Sequence, residues 1–382
     1  MKKTVVIGVL AAILFTAPAY AVERVAAEAI SINATAALLM EKTGGEVIYA
    51  KDEHKQLSPA SVTKIMTLLL TLEEIEAGRL SMEDMVSCSQ TAASMGGSQI
   101  WLEEGEQMSV HDLLKAVTVV SANDCAVALA EHIAGSEESF VVKMNQRAQE
   151  LGMEDTVFYD CTGLTDNPEH LTSAYDVALM SRELIGKDAI KEFTTIWMDT
   201  LRNGESALVN TNKLVRFYPG TTGLKTGFTG KAMYCLSATA ERDGAEYIAV
   251  IMHAPTTKDR FEGAKTLLNY AFANYTLLSL RSPDALPPVK VELGEYTAVD
   301  VQYTGKAGML FEKVKACGNV SYKISLPESL TAPVTKGDII GELLVTGGDR
   351  ELARIELTAA SSVKRLTVKD IYVRMLSRLM GG

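Results

Sequence analysis

Residues 58–78 read SPASVTKIMTLLLTLEEIEAG, and the fold prediction starts from them. After Pro59 the large apolar residues recur at helical spacing, and Gly78 ends the run; they are Ile65, Leu68, Leu69, Leu72 and Ile75. The pattern predicts a largely buried helix from Ser61 to Ala77.

Strand patterns lie on both sides of this helix in the sequence. Ala36–Met40 and Glu46–Tyr49 surround a Thr43-Gly44-Gly45 turn, which predicts a β-hairpin. Two later runs are predicted as paired strands around an Asp243-Gly244 turn, and four more segments have a helical pattern. The strands are Ala232–Ala240 and Tyr247–His253; the helices are Val110–Ile133, Phe140–Leu151, Ser173–Ile185 and Lys258–Ala273. Strands at both ends of a helical middle predict an α+β domain with one antiparallel sheet backed by helices.

The C-terminal third has a different character. A proline-rich break, Ser282–Pro288, precedes short alternating strands that run to about Ala360 and predict a small all-β unit without a cluster of titratable groups. Val368–Met380 predicts an amphipathic helix with a basic face. Such a helix can lie in a membrane surface or dock on its own domain, and the sequence leaves both open.

The first residues have the pattern of a secretory signal peptide. Lys2 and Lys3 precede an apolar run, Thr4–Phe15, and small residues follow at Ala19 and Ala21. An uncleaved anchor is the alternative, although the run is shorter than a membrane span needs. The predicted divisions are therefore 1–21 (signal peptide), 22–278 (catalytic domain), 279–362 (β-rich domain) and 363–382 (amphipathic helix), in an exported protein.

Composition excludes several classes of function. The formal net charge of −11 disfavours nucleic acid as a partner, although the last twenty residues contain five basic and one acidic residue. The cysteines form no Cys-x-x-Cys pair and are predicted to be small buried residues: Cys88, Cys125, Cys161, Cys235 and Cys317. No histidines have metal-binding spacing. We therefore expect neither a metal nor a cofactor.

Three short motifs suggest the chemistry: Ser61-Val62-Thr63-Lys64, Ser121-Ala122-Asn123 and Lys225-Thr226-Gly227. Each motif alone is weak evidence for a catalytic site, because all three patterns occur a second time in the chain. The second set is Ser361-Ser362-Val363-Lys364, Ser31-Ile32-Asn33 and Lys42-Thr43-Gly44. Context separates the two sets. In the first set Ser61 begins a helix, Ser121 lies in a helical region, and Lys225 precedes a strand. The motifs of the second set follow one another along the chain in the wrong order.

The spacing of the first motif has a chemical reason. Residues three apart on a helix share a face, so the Lys64 amine can reach the Ser61 hydroxyl. A lysine acts as a base only when it is neutral, which requires burial or a neighbouring cation, and Lys225 is the candidate neighbour. Free N–H groups at a helix start can stabilise the oxyanion that forms when Ser61 attacks a carbonyl.

Longer stretches around the motifs resemble one family. Residues 58–67, Met95-Gly96-Gly97-Ser98, residues 120–124 and residues 223–229 are similar, in the same order, to segments of D-alanyl-D-alanine carboxypeptidases of the low-molecular-mass penicillin-binding protein family. Residues 332–338 resemble that family's β-rich C-terminal domain, and the tail resembles its membrane anchor. The resemblance implies a β-lactamase/transpeptidase-like catalytic domain, with peptides ending in D-Ala-D-Ala and β-lactam antibiotics as ligands.

The resemblance also implies roles for individual residues. Ser61 is acylated, Lys64 is the base, and Ser121 with Asn123 relays protons and holds the substrate amide. Substrate-binding residues are Lys225 and Thr226 at the terminal carboxylate, Gly227 beside them, Phe228 in the oxyanion hole with the N–H of Ser61, and Arg260, whose planar guanidinium suits a carboxylate.

One stretch departs from the family pattern, because Asp160-Cys161 stands where Asn-Pro is usual, which puts the local loop shape in doubt. Two other classes of protein fit these motifs less well. A class A β-lactamase requires a Glu-x-x-Leu-Asn segment, and the nearest match, Glu205–Val209, fails at its last position. A noncatalytic peptidoglycan-binding scaffold would be expected to lack Ser61, Lys64 or Lys225. The partition between hydrolysis and transpeptidation stays open.

Overall fold

The structure is a computed structural model that describes residues 24–313, 320–348 and 350–379. The predicted signal peptide, Cys317 and the predicted helix end at Met380 lie outside the described residues. Contacts divide the chain into two compact units. The first comprises residues 24–277 and 310–313, and the second comprises residues 278–309 and the described residues from 320 onward.

The first unit mixes helices and strands. Its strands are β1 (Ala36–Glu41), β2 (Val47–Lys51), β3 (Met85–Ser87), β4 (Gln107–Ser109), β5 (Met198–Leu201), β6 (Ser206–Val209), β7 (Thr221–Thr229), β8 (Met233–Arg242) and β9 (Ala245–Ala254), with β10 (Tyr275–Ser279) at the unit boundary. Its helices are α1 (Lys64–Glu76), α2 (Gln90–Ala93), α3 (Val110–Val119), α4 (Asn123–Ala134), α5 (Glu137–Glu150), α6 (Ala174–Ile185), α7 (Ile190–Thr194), α8 (Leu214–Phe217) and α9 (Thr257–Asn274).

The central sheet is antiparallel, with the strand order β2-β1-β9-β8-β7. Its inner strands are apolar on both faces, and alternate residues enter different cores. In β9, Ile248, Val250 and Met252 belong to the core that contains α1, α3, α4 and α6, whereas Ala249 and Ile251 pack with α9 on the other face. Because the side-chain period of a strand is two, burial of both faces makes these strands almost uniformly hydrophobic. The predicted α+β class is confirmed.

Two of the predicted helices differ from the helices in the structure, and both differences lie at candidate site residues. Val110–Ile133 is not one helix, because it is interrupted at residues 120–122, where Ser121 has φ of 66°. A residue in the left-handed region cannot continue a right-handed helix. The predicted helix from Ser61 also begins differently: a 3₁₀ turn, Ala60–Thr63, precedes α1, which starts at Lys64.

The second unit is mainly β, as predicted. Its strands are β11 (Val289–Glu292), β12 (Ala298–Val299), β13 (Val301–Tyr303), β14 (Gly308–Glu312, at the unit boundary), β15 (Val320–Ser325), β16 (Ser329–Thr331), β17 (Ile339–Gly347) and β18 (Arg350–Ala359). They include a three-stranded sheet, β12-β11-β16, and a four-stranded sheet, β13-β18-β17-β15. Helix α10 (Val368–Leu379) ends the described chain.

Candidate active site

The 3₁₀ turn that contains Ser61 is held between several elements of the first unit. Ala60 has φ of 49°, a strained conformation for a residue with a Cβ. Strand β7 passes so close to the turn that a Cβ at Gly227 would lie 2.8 Å from the Pro59 carbonyl oxygen and 3.1 Å from the Val62 nitrogen. A glycine is therefore required where β7 approaches the turn, and this contact brings the first and third motifs together.

The Lys64 side chain is completely buried and has three hydrogen-bond acceptors. Its Nζ lies 3.1 Å from Ser61 Oγ, 2.5 Å from Asn123 Oδ1 and 2.8 Å from the Thr162 carbonyl oxygen. A neutral amine has two N–H groups and one lone pair. If Asn123 and Thr162 accept the two hydrogens, the lone pair is left for the Ser61 hydroxyl, which is the arrangement a general base requires.

Burial lowers the pKa of Lys64 to about 8, against the opposing effect of the Cys161, Asp160 and Asp124 charges. Of the two causes considered, burial is the one that lowers the pKa of Lys64, and Lys225 is not among the groups that shift it. The repulsion between the two lysines instead lowers the pKa of Lys225. Its pKa is held well below the usual range by burial first, and then by the charges of Lys64 and Arg260.

Ser121 and Asn123 lie where α3 ends and α4 begins. Asn123 accepts from Lys64 and donates through Nδ2 to the Gly96 carbonyl at 2.7 Å, and its backbone N–H donates to the Ser98 carbonyl at 2.7 Å. Ser121 is buried, and its Oγ has no hydrogen-bond partner among the described residues. Because buried hydroxyls are normally hydrogen-bonded, this Oγ is a group to which a bound molecule could form a hydrogen bond.

Strand β7 positions the third motif. Lys225 is 1% exposed, and its Nζ donates to the Thr226 carbonyl at 3.1 Å. The Thr226 hydroxyl donates to Thr211 Oγ1 at 2.7 Å, and the Thr211 N–H donates to the Val119 carbonyl at the end of α3. Thr211 therefore connects the third motif to the segment before Ser121. Phe228 pairs with Tyr234 across the sheet, and its ring is half exposed.

Arg260 lies in α9 and faces the backbone of the central sheet. Its Nη1 donates to the carbonyls of Gly227 at 3.0 Å and Cys235 at 3.3 Å, and its guanidinium lies over the Tyr234 and Phe261 rings. Only 8% of the residue is exposed. These contacts support the strands next to Phe228, while direct binding of a carboxylate by Arg260 stays a prediction.

In the loop that departs from the family pattern, the Asp160 carboxylate caps the backbone. Its Oδ1 accepts from the N–H groups of Thr162 at 2.9 Å and Gly163 at 2.5 Å, and its Oδ2 accepts from Thr165 at 2.6 Å. This Asx-type capping replaces the constraint that a proline supplies. It also aims the Thr162 carbonyl at Lys64. A backbone carbonyl has no residue-type signature, so sequence reasoning missed this contact.

The described cysteines, Cys88, Cys125, Cys161 and Cys235, are free and buried, as predicted. No three His, Cys, Asp or Glu side chains in the described ranges are grouped so that they could hold a metal ion. The groups available for chemistry at the site are hydroxyls, amines and backbone amides. They suit nucleophilic attack on a carbonyl by a serine.

Comparison with known proteins agrees with this geometry. A family described as D-alanyl-D-alanine carboxypeptidase matches residues 23–256, and one described as the C-terminal domain of penicillin-binding protein 5 matches residues 287–365. The chain is 40% identical over 353 residues to D-alanyl-D-alanine carboxypeptidase DacF of Bacillus subtilis, which covers 91% of this chain and 90% of that protein.

Solved structures are similar as well. Penicillin-binding protein 5 from Haemophilus influenzae has a TM-score of 0.73 and 29% identity, covering 88% of this chain and 99% of that one. Penicillin-binding protein D2 from Listeria monocytogenes, in an ampicillin-bound form, has a TM-score of 0.59 and 31% identity, covering 64% of this chain and 99% of that one.

Proposed function

The chain belongs to the D-alanyl-D-alanine carboxypeptidase family, and from this premise we propose that it removes the terminal D-alanine of peptidoglycan stem peptides through an ester on Ser61. The observation that carries the proposal is the buried Lys64 amine, 3.1 Å from the Ser61 hydroxyl, with two further acceptors that orient its lone pair. A solvated lysine would be protonated at neutral pH and could not accept the hydroxyl proton.

The reaction proceeds in two stages. Ser61 Oγ attacks the carbonyl of the penultimate D-alanine and transfers its proton to Lys64. The bond between carbonyl carbon and nitrogen then breaks, and the leaving amine takes a proton that Ser121 relays from Lys64. Water hydrolyses the ester in the second stage. The products are free D-alanine and a peptide that is one residue shorter.

The third motif would bind the carboxylate of the leaving D-alanine. Thr226 offers a hydroxyl and Lys225 an amine whose charged form a bound carboxylate would stabilise, and Ser121 Oγ supplies a further donor that is unpartnered among the described residues. The N–H groups of Ser61 and Phe228 would hold the oxyanion, since β7 runs directly beside the nucleophile turn. Arg260 contributes by fixing the Gly227 carbonyl.

Penicillins would acylate the same serine, because their strained amide stands in for the D-Ala-D-Ala bond. The β-lactamase alternative needs a glutamate that activates the deacylating water. Within the part of the chain that the structure describes, the groups in hydrogen-bond contact with Lys64 are a serine, an asparagine and a carbonyl, and none is a glutamate. We therefore propose that the penicilloyl ester persists.

The test uses the protein without residues 1–21, a diacetyl-Lys-D-Ala-D-Ala peptide and a fluorescent penicillin. Release of D-alanine together with lasting fluorescence on the protein supports the proposal. Rapid turnover of penicillin without release of D-alanine would replace it with a β-lactamase. Absence of both label and release would favour a noncatalytic peptidoglycan-binding protein.

The rate of acylation should depend on pH through Lys64. Its neutral form is the active one, and its pKa is lowered to about 8. The second-order rate constant for acylation should therefore rise about tenfold per pH unit below that value and level off above it. Stopped-flow measurements with a chromogenic β-lactam from pH 6 to pH 10 test this, with thermal unfolding across the same range as a control. A flat profile would contradict the assignment of Lys64 as base.

We further propose that the protein is exported and acts at the outer face of the cytoplasmic membrane, where its substrate is found. Within the described residues, no helix has the length and apolar character needed to cross a membrane. Helix α10 instead exposes apolar side chains along its length: Val368, Ile371, Tyr372, Val373, Met375 and Leu376. With its basic residues it suits attachment to an anionic lipid surface.

Sedimentation with vesicles containing anionic phospholipid tests the role of α10. The chain should sediment with the vesicles, and a variant that ends at residue 367 should stay in the supernatant with its D-alanine release intact. Equal sedimentation of both forms would overturn the membrane proposal without affecting the proposed activity.

A further inference from the structure

The backbone that leads into Ser61 is in contact with the rest of the first unit at three successive carbonyl groups. The Pro59 oxygen is approached by Gly227, and the Ala60 oxygen lies so close to Gly163 that a Cβ there would be 1.8 Å from it. The Ser58 oxygen accepts a hydrogen bond from His253 Nε2 at 2.9 Å. Of the three contacts, only the last is made by a side chain with a strong donor.

His253 is held in an unusual conformation near the end of β9. Its φ is 54°, in the left-handed region that a residue other than glycine rarely adopts. Its carbonyl lies 3.4 Å from the Thr35 backbone nitrogen and 3.5 Å from the Thr35 hydroxyl. Strained residues of this kind persist where surrounding contacts over-determine them, and they cluster at functional sites. In this conformation the imidazole reaches the nucleophile turn, where its Nε2 lies 2.9 Å from the Ser58 carbonyl oxygen.

The hydrogen bond also determines which nitrogen carries the proton. A carbonyl oxygen can only accept, so Nε2 must be the donor. The pKa of His253 is lowered by burial, against the opposing effect of its hydrogen bond to Ser58, and the charges of Lys55 and Lys231 lower it further. The ring is therefore neutral at pH 7, with its hydrogen on Nε2. Protonation in acid would leave this donor in place, so the contact persists at all working pH values.

Among the described residues, the one other side chain within hydrogen-bond range of this carbonyl is Cys235, whose Sγ lies 4.0 Å from the oxygen. A thiol is a weak donor, and the same thiol is closer to the Ala232 carbonyl, at 3.3 Å. His253 therefore supplies the main hydrogen bond that fixes the Ser58 carbonyl.

We propose that His253 is a positioning residue for the nucleophile, which acts by holding the Ser58 carbonyl and thereby setting the place of Ser61 Oγ relative to Lys64 Nζ. The inference rests on the proposed function of Ser61. Between Ser58 and Ser61 there are three residue steps and one strained φ, so a turn released at Ser58 can move the hydroxyl away from the amine. Misplacement of a reacting group by about 1 Å costs up to about 100-fold in rate.

Three substitutions separate the hydrogen bond from the backbone conformation. His253→Gly and His253→Asn both tolerate a positive φ, but glycine has no donor and the asparagine amide reaches only the position of Nδ1. His253→Gln places an amide nitrogen near the position of Nε2 and tolerates the backbone less well. His54→Asn, at an exposed histidine that bonds to Asp155, is the matched control.

The measurement is the rate constant of acylation by a fluorescent penicillin, with kcat and KM for D-alanine release and the melting temperature of each variant. We expect His253→Gly and His253→Asn to lose about tenfold in acylation and in kcat at unchanged KM, and His253→Gln to recover most of the loss. Gly and Asn variants as fast as the wild type, or a Gln variant no faster than Asn, would overturn the proposal.

The proposed function and the positioning role fail in different ways. If the wild-type protein shows neither label nor D-alanine release, the function of Ser61 is wrong. If the wild type is active and the His253 variants differ from it only in melting temperature, the function stands and the positioning role is rejected.

Discussion

Replacement of Ser61 by alanine is expected to abolish both release of D-alanine and labelling by penicillin. The variant lacks the only atom that forms the ester, and the loss should be at least about a thousandfold, because a missing nucleophile is not replaced by the rest of the site. Loss of one partly buried hydroxyl should change the free energy of unfolding by less than about 1 kcal/mol. The measurements are D-alanine release, fluorescent-penicillin labelling and thermal unfolding of both proteins.

The sequence offers its own control for this experiment. Ser361 begins the second Ser-x-x-Lys pattern, with Lys364, and is exposed after strand β18 of the second unit. Ser361→Ala should therefore retain full activity and full labelling. Labelling that survives in the Ser61 variant, or is lost in the Ser361 variant, would assign the nucleophile to another residue.

The difference between the two Ser-x-x-Lys patterns shows which features of the sequence predict a catalytic lysine. Both have a serine and a lysine three residues apart, but only Ser61 follows a proline and precedes a long apolar run. That run becomes α1 in the core of the first unit, so Lys64 is buried, whereas the other copy lies outside any helix. Helical periodicity therefore predicts the burial that makes a lysine a base, and the motif alone does not.

The fold was predictable where periodicity or turn chemistry is strong. Strands β8 and β9 and helix α9 lie within two residues of their predicted bounds at all six termini, because the strands meet at the Asp243-Gly244 turn and the helix begins after the Thr256 cap. The break at Ser121 was missed. No glycine or proline occurs at residues 120–122, so no local pattern marks the positive φ of Ser121.

Within the site, the short motifs can be predicted from the sequence, whereas the contacts that hold their side chains in place cannot. Ser61, Lys64, Asn123 and Lys225 come from short patterns that the fold brings together. Thr162 acts through its carbonyl, and Thr211 and His253 through tertiary contacts more than 10 residues away in sequence from their partners. Such contacts have no local pattern, so a single sequence does not reveal them.

Replacement of Lys64 by methionine should produce the second large effect. Methionine fills a similar volume but has no group that can accept the Ser61 proton, and general base catalysis is worth about 10²–10⁴-fold. Acylation by penicillin and kcat for D-alanine release should fall by this factor. The dependence of the rate on pH near 8 should disappear as well, because the group that titrates there is gone.

This substitution also leaves Asn123 Oδ1 and the Thr162 carbonyl without their donor, so some loss of stability is expected in addition. Lys364→Met removes the corresponding lysine of the second pattern and should leave rate and pH profile unchanged. The decisive comparison is the slope of the pH profile, which lowered stability alone does not flatten. A slow Lys64→Met variant that kept the wild-type slope would show that another group, with Lys225 the first candidate, accepts the proton from Ser61.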